Sequence, residues 1–343
     1  MSSVITGSNG FLGAALTRRL LAHGETDPIC LVRPSSNTAK LETISRDTPT
    51  ARLRIRQGSL ATADDAQRAI EGADTIFHLA AMLNCAPADM VLNTVVTSHN
   101  LLEAAARAKS PPKILLVSSF GVYGTAFLPP LSVINEESPL EPAPRLRDPY
   151  SQVKLRQEKL FWEYHKEGAV DLTVLRPGAI YGPESMSISA RVGLQMPGLF
   201  LFLGGDNALP LTYVDNCADA LIVASRASTA SGRAFNVHDD DLPTCRSFFR
   251  QYRSQVRPLR FVTVPYFALL GASRAIAHYH TVSRGQLPAV FTPYKTRSSW
   301  KPMRFDNTRL HNIGWKPRVS ITEGLERSFQ QHRRFWEAQS ETG

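Results

Sequence analysis

Short apolar runs alternate along this chain with longer segments whose apolar residues recur every three or four positions. Residues 4–6, 28–32, 53–55, 74–81, 114–117 and 172–175 read as six strands, each brief and dominated by Val, Ile, Leu or Phe. Helical patterns separate them: one over 14–22 that stops at His23-Gly24, and one that starts at Thr62 with Asp65 behind it and ends at Gly72. A longer one carries Leu92, Val95, Val96, Leu101, Leu102 and Ala105. Parallel strands need such crossovers, so the pattern predicts an α/β chain with a doubly wound parallel sheet and ligands at the strands' carboxyl ends. Six prolines between 128 and 149 predict a long irregular loop, and Asp148-Pro149 then opens a helix as N-cap and first-turn proline. Residues 183–210 leave the sheet pattern. A strand at 211–216 feeds a helix to 227, a short strand follows at 234–237, and Ile321, Leu325 and Phe329 form a core-facing helical stripe near the end.

The first strand breaks at once on glycine. Gly7 suits a tight turn, Gly10 a close approach of backbone amides to a pyrophosphate, and Gly13 close packing of the next helix, whose N-terminus favours an anion. Asn9, Phe11 and Leu12 belong to the same turn, which reads as a dinucleotide cradle in a Rossmann-type sheet. The second strand ends at Arg33, twenty residues beyond Gly13. An acid there would bind a ribose 2′-hydroxyl, whereas an arginine accommodates a 2′-phosphate, so NADP(H) is favoured over NAD(H), with Ser35, Ser36 and Lys40 as further donors. The small residues after Leu79, Ala80 and Ala81, let backbone meet the cofactor. Tyr150 and Lys154 stand four apart, on one face of their helix, behind a strand that ends in Ser118-Ser119.

Composition changes the picture in one region. The formal net charge is +9, yet residues 245–310 hold twelve Lys and Arg, Arg284 among them, against one acid, Asp306. That segment is therefore +11 and the rest −2. It also contains the apolar stretch 261–277, interrupted by Pro265, Gly271 and Arg274 and so a poor membrane span. Four scattered cysteines form no C-x-x-C pair and nine histidines no ligand spacing, which predicts reduced thiols and no metal. Only three residues precede the first strand, leaving no room for a secretory leader and pointing to a cytoplasmic protein. No recognition motif accompanies the positive charge, so nucleic acid is not expected as a partner.

These motifs, in this order, resemble the extended short-chain dehydrogenase/reductase superfamily, in its epimerase/dehydratase and 3β-hydroxysteroid-dehydrogenase-like branches. The matching stretches are T-G-S-N-G-F-L-G (6–13), H-L-A-A (78–81), N-T-V-V-T-S-H-N-L-L-E-A-A (93–105), L-V-S-S-F-G-V-Y-G (116–124), Y-S-Q-V-K (150–154), L-R-P-G-A-I-Y-G-P (175–183), T-Y-V-D-N (212–216) and I-G-W-K-P (313–317). The resemblance implies Ser119, Tyr150 and Lys154 as the catalytic set and Asn93 as a supporting residue. It implies Pro177, Gly178 and Ile180 as the cover of a nicotinamide, and Ser59 with Leu60 beside an adenine. The chain departs from it at Ser59, where an aspartate is usual, and at Val96, where a glycine is usual. Phe120-Gly121 replace the Asp-Glu pair of dehydratases, which argues against water loss. It also implies a dinucleotide-binding core over 1–181 with a return at 211–238, a smaller discontinuous substrate lobe from 182–210 and 239–310, and a C-terminal helix in 311–343.

Hydride chemistry is what these residue types suit. A ketone that takes hydride at carbon needs a proton at oxygen, which Tyr150 can give. Bringing a phenol of pKa ~10 near neutrality takes roughly 4 kcal/mol, about what one ammonium at ~4 Å supplies in an effective dielectric of ~20, and Lys154 is that ammonium. The expected activity is ketone/secondary-alcohol interconversion on an anionic, lipid-like or acyl small molecule, alternatively nucleotide-sugar 4-epimerisation with the same residues. Peripheral membrane contact and a homodimer remain open.

Overall fold

The computed structural model describes residues 2–25, 27–48, 52–82, 85–185, 188–282 and 292–341. Its first half alternates as the pattern predicts: β1 (Ser3–Thr6), α1 (Phe11–Ala22), β2 (Ile29–Val32), α2 (Ala39–Asp47), β3 (Arg54–Gln57), α3 (Ala63–Ile70) and β4 (Thr75–His78). The long helix expected next comes in pieces: α4 (Pro87–Met90), a π-helical turn over Val91–Val96, and α5 (Thr97–Ala106) before β5 (Lys113–Val117). The punctuation works as read. Thr62 Oγ1 accepts from Asp65 N at 3.2 Å at the head of α3, and Gly24 and Gly72 take φ of +83° and +74° just past their helices.

The proline-rich stretch holds one short strand, β6 (Val133–Ile134), and leads into α6 (Pro149–Lys166), β7 (Asp171–Pro177) and β8 (Ala179–Tyr181). Residues 183–210, read as outside the sheet pattern, contain a hairpin of β9 (Gly193–Met196) and β10 (Leu199–Phe202). Next come β11 (Leu211–Tyr213), α7 (Val214–Arg226) and β12 (Arg233–Val237), then α8 (Cys245–Gln255), β13 (Phe261–Thr263), α9 (Tyr266–Val282), α10 (Pro293–Trp300), β14 (Arg304–Phe305), α11 (Thr308–Asn312) and α12 (Ile321–Glu341).

Seven parallel strands lie in the order β12-β7-β5-β4-β1-β2-β3. From β1 the chain builds outward through β2 to β3, then jumps to β4 and builds the other way. The strand order thus reverses between β1 and β4, where such sheets bind ligands. β1 and β2 are buried at every position because helices cover both faces. Leu16, Leu20, Leu221 and Phe235 pack on one side; Ile76, Leu101, Ile114 and Phe161 pack on the other. Each such side chain contributes about 1.5–3 kcal/mol by burial. β3 is the exposed edge and lies further along than expected, with arginines at 54 and 56. Arg56 turns back to cap α3, donating to the carbonyls of Arg68, Ala69 and Glu71. The late helical stripe is core as predicted: Leu325 and Phe329 are buried, the latter against Phe248 and Tyr252 of α8.

The basic segment is not one charged surface. Lys301 is buried and donates to the carbonyls of Thr125, Ala126 and Leu128 at 2.9, 2.8 and 2.5 Å. Arg309 pairs with Glu136 and Glu137, Arg246 with Asp206, and Arg253 lies over the rings of Phe249 and Phe261. Arg284 lies outside the described residues. The loop that Lys301 holds is also fastened by β6, which pairs with β14 and buries Ile134 against Tyr123 and Met303.

Candidate active site

At the carboxyl ends of β1, β2, β4, β5 and β7 lies a cleft of about 720 Å³. Apart from Ser35 and Lys40, the residues that the sequence or the resemblance put forward for the site line it: Gly7, Asn9 and residues 10–13 of the first turn, Arg33, Ser36, Ser59, Leu60, residues 79–81, Asn93, Ser119, Tyr150, Lys154, Pro177, Gly178 and Ile180. Gly7 has φ +70°, and a Cβ on Gly13 would sit 2.1 Å from the Gly7 carbonyl oxygen, so neither position tolerates a side chain. Gly10 N donates to Gly7 O at 3.0 Å and closes the turn. No side chain caps α1, so its first-turn amides remain for an anion. A pyrophosphate fits this cradle.

The far end of the cleft carries exposed Arg33 at the end of β2, with Ser36 beside it. Lys40, expected as a further donor there, is instead held by Glu184 at 2.5 Å, and neither it nor Ser35 lines the cleft. Ser59, which departs from the resemblance, lines the cleft while its hydroxyl accepts from Ala61 N at 3.0 Å.

On the opposite wall, Asp148 caps α6 by accepting from Ser151 N at 2.9 Å, with Pro149 in the first turn. That cap fixes where α6 begins and hence where Tyr150 and Lys154 project. Ser119 ends the run from β5, its Oγ accepting from Gly121 N at 3.1 Å. Burial pushes the Tyr150 phenol above its ordinary value; the Ser119 hydroxyl opposes the rise and the Asp148 carboxylate adds to it. The lowered phenol expected from Lys154 alone is therefore not what this cleft produces. The Lys154 ammonium is drawn the other way: buried, it donates to Val117 O and to Gln157 Oε1, both at 2.6 Å. Its pKa is pushed down to about 8 by burial, against the pull of the Glu158 carboxylate.

Behind Lys154 runs a buried polar chain that the sequence did not reveal. Gln157 Nε2 donates to Ser98 Oγ at 2.8 Å, and Ser98 spends its own proton on Thr94 O at 2.5 Å. His78 Nε2 lies 2.9 Å from the same Ser98 oxygen, so it is the protonated nitrogen, and His78 Nδ1 accepts from Thr6 Oγ1 at 2.9 Å. Thr6 Oγ1 accepts in turn from the amides of Leu79 and Ala80. Burial drives the His78 pKa down to about 3, which keeps it neutral. Lys154 is thereby tied through three side chains, Gln157, Ser98 and His78, to Thr6, the residue before the glycine turn. The i,i+3 spacing of Lys154 and Gln157 was the one trace of this in the sequence.

Asn93 sits in the π-helical turn, lines the cleft and donates to Asp89 O at 2.9 Å. π-turns concentrate at functional sites because their extra residue re-aims its neighbours. Thr94, next in the turn, is buried and accepts from Met82 N at 3.2 Å. Val96, where the resemblance places glycine, is exposed on the outside of the helix and blocks nothing.

Comparison with known proteins agrees with this geometry. Residues 3–237 match the profile of the NAD dependent epimerase/dehydratase family. A UDP-glucose 4-epimerase of Mycolicibacterium smegmatis is 26% identical, over 96% of this chain and 98% of its own. The human sterol-4-alpha-carboxylate 3-dehydrogenase, decarboxylating, is 24% identical over 96% and 87%. In structure, the UDP-glucuronic acid 4-epimerase of Bacillus cereus, solved in complex with NAD, superposes with a TM-score of 0.71 at 20% identity, over 98% of this chain and all of that one, a likeness of fold. With a glycine cradle that admits a pyrophosphate and a family profile matched over most of its length, the chain belongs to the NAD dependent epimerase/dehydratase family and is an enzyme of the short-chain dehydrogenase/reductase type.

Proposed function

We propose that the enzyme interconverts a ketone and a secondary alcohol on a lipid-like or acyl small molecule, with NADP(H) as cofactor. The observation that carries this reading is the meeting of Ser119, Tyr150 and Lys154 on the wall of a cleft whose other wall is the glycine cradle. When bound there, the nicotinamide supplies hydride to the carbonyl carbon or takes it from the alcohol. Tyr150 gives its phenolic proton to the carbonyl oxygen in reduction and takes it back in oxidation. Ser119 orients that oxygen. Lys154 has three N–H donors, two of them held by Val117 O and Gln157 Oε1, so one is left for the cofactor ribose.

Among the described residues, none of the basic segment 245–310 lines the cleft, so their charge gives no support to an anionic substrate. Support for NADP(H) comes from Arg33 and Ser36 just beyond β2, with no carboxylate among the described residues that line the cleft. Arg33→Asp should weaken NADPH binding about 10- to 100-fold, the scale of one or two charge-assisted hydrogen bonds, and bring NADH level with it. Fluorescence titration of both cofactors checks this; tighter binding of NADH than of NADPH by the wild type would reject the preference.

The likeness to a UDP-glucose 4-epimerase over nearly the whole chain favours a second reading, 4-epimerisation of a nucleotide sugar. Cofactor accounting separates the two. A reductase consumes one free NADPH per product, whereas an epimerase returns its cofactor and acts with no net oxidation. A panel of ketones and UDP-hexoses, assayed for NADPH loss and for product, decides. Turnover of a UDP-hexose with no change in free cofactor would overturn the first reading.

A further inference from the structure

We propose that the face formed by α9 and the open side of the β9–β10–β13 sheet docks on an anionic lipid bilayer. The argument starts from side-chain alternation. In the three-stranded sheet Leu194 pairs with Leu201 and Leu201 with Val262, so Leu194, Met196, Leu201 and Val262 share one face. α9 covers only part of it, burying Leu269 with Leu194, Leu201 and Leu203 beneath. Met196 and Val262 stay about half exposed beside the helix. The outward side of α9 continues the apolar surface. Phe267 is 77% exposed, Gly271 and Ala275 follow at helical spacing, and Tyr279 and Val282 are 51% and 67% exposed. Seventeen residues of helix make this stripe about 25 Å long. No helix among the described residues is long and apolar enough to cross a membrane.

What covers it is indicated by charge. Not one Asp or Glu occurs between residues 242 and 305. Arg260 is exposed and lies two before Val262 in a strand whose pairing reaches it, Phe200 N donating to Arg260 O, so it points to the apolar face. Arg274 of α9 and Arg297 of α10 both act on the Tyr266 phenol at the start of α9, and both are exposed, as is Lys295. Four cations thus accompany an apolar stripe, and the segment that carries them contributes no acid of its own. Apolar side chains inserted among acyl chains with basic ones at headgroup level is the composition of interfacial segments, and each Lys or Arg at an anionic surface strengthens binding about fivefold. A soluble acidic partner would satisfy the cations but leave Phe267 and Val282 in water. α10, which carries two of the cations, also contacts the turn that follows the Ser119 loop, Tyr294 meeting Phe127 at 5.9 Å. The docking face and the catalytic loop therefore share a support.

Co-sedimentation of the full chain with vesicles tests this without any assumption about the reaction. Vesicles of phosphatidylcholine alone should leave the protein in solution. Vesicles in which about one-third of the lipid is phosphatidylglycerol should carry it down, and raising the salt towards ~1 M should release it. Arg274→Gln should weaken the partition about fivefold and Phe267→Ser about tenfold or more. Neither residue touches the cleft, so turnover of a water-soluble substrate and the melting temperature should stay as in the wild type. Equal binding to both vesicle types, or no binding to either, overturns the proposal. So does a concentration-dependent dimer that Phe267→Ser abolishes, which would assign the face to a second copy. Capture by soluble polyglutamate that Phe267→Ser leaves unchanged would assign the cations to an acidic macromolecule and equally reject the bilayer.

Discussion

Tyr150→Phe is expected to lower kcat about 100-fold or more while leaving cofactor affinity and melting temperature near the wild-type values. The phenylalanine keeps the ring, and with it the packing at the head of α6. It removes only the hydroxyl that meets Ser119 and that would hand a proton to the substrate oxygen. Loss of a positioned general acid costs 10²–10⁴-fold in typical enzymes, so the expected drop is at the lower end of that range. The raised phenol sharpens the expectation. Burial and Asp148 hold Tyr150 protonated across neutral pH in the protein without its cofactor, the form that donates in the reductive direction. Reduction should therefore show no loss of rate as pH falls from 8 to 6 through any titration of this group. The measurement is steady-state kcat with a ketone substrate beside an NADPH titration. A variant that turns over at the wild-type rate would remove Tyr150 from the chemistry, and one that loses cofactor binding as well would make it a structural residue.

Much of the site was legible because its signals are local. The glycine turn, the Asp148-Pro149 start of α6 and the i,i+4 pair of Tyr150 and Lys154 each depend on residues within a few positions of one another. Backbone geometry then carries them to the same strand ends. What stayed hidden depends on partners far apart in the chain. His78 meets Thr6 and Ser98, and Gln157 meets Ser98, across separations of 72, 20 and 59 residues. No periodicity encodes such pairings. The π-helical turn was invisible for a different reason: its apolar spacing differs from an α-helix by one residue over a single turn, too little to register against Leu92, Val95 and Val96. The β9–β10 hairpin was missed because Gly193 and Gly198 interrupt the run and each strand is only four residues long. Charge counting failed in the opposite direction. Lys301 adds to the formal charge like any surface lysine, yet it is buried under three carbonyls, where its role is to fasten a loop.

A second large effect is expected at Glu158, one turn beyond Lys154, where Glu158→Ala should cost about 3–5 kcal/mol of unfolding free energy. Its carboxylate is fully buried and meets Arg176 Nη2 at 2.5 Å, Ser118 Oγ at 2.5 Å and Trp162 Nε1 at 3.2 Å. Removing it strands a guanidinium only 5% exposed at the heart of the sheet, together with two neutral donors. Arg176 is bound on its other side to Tyr123 Oη at 2.9 Å, and Tyr123 donates to Asn236 Oδ1 at 2.6 Å. Asn236 Nδ2 in turn donates to the carbonyls of Ile134 and Asp306. One carboxylate on α6 thus anchors β5, β7, β12 and the proline-rich loop to each other. Its neighbours Ser118 and Lys154 are next to the reacting groups, so the loss should reach kcat as well. Glu158→Gln keeps the shape and one acceptor but not the charge, and should recover part of the stability and less of the rate. Arg176→Met added to Glu158→Ala should restore some stability by removing the stranded cation, although Tyr123 then loses a partner. Urea unfolding midpoints for the three variants test the account. A cost below about 1 kcal/mol for Glu158→Ala, or no gain on adding Arg176→Met, would mean that water reaches the guanidinium and that the pair is not what holds α6 in place.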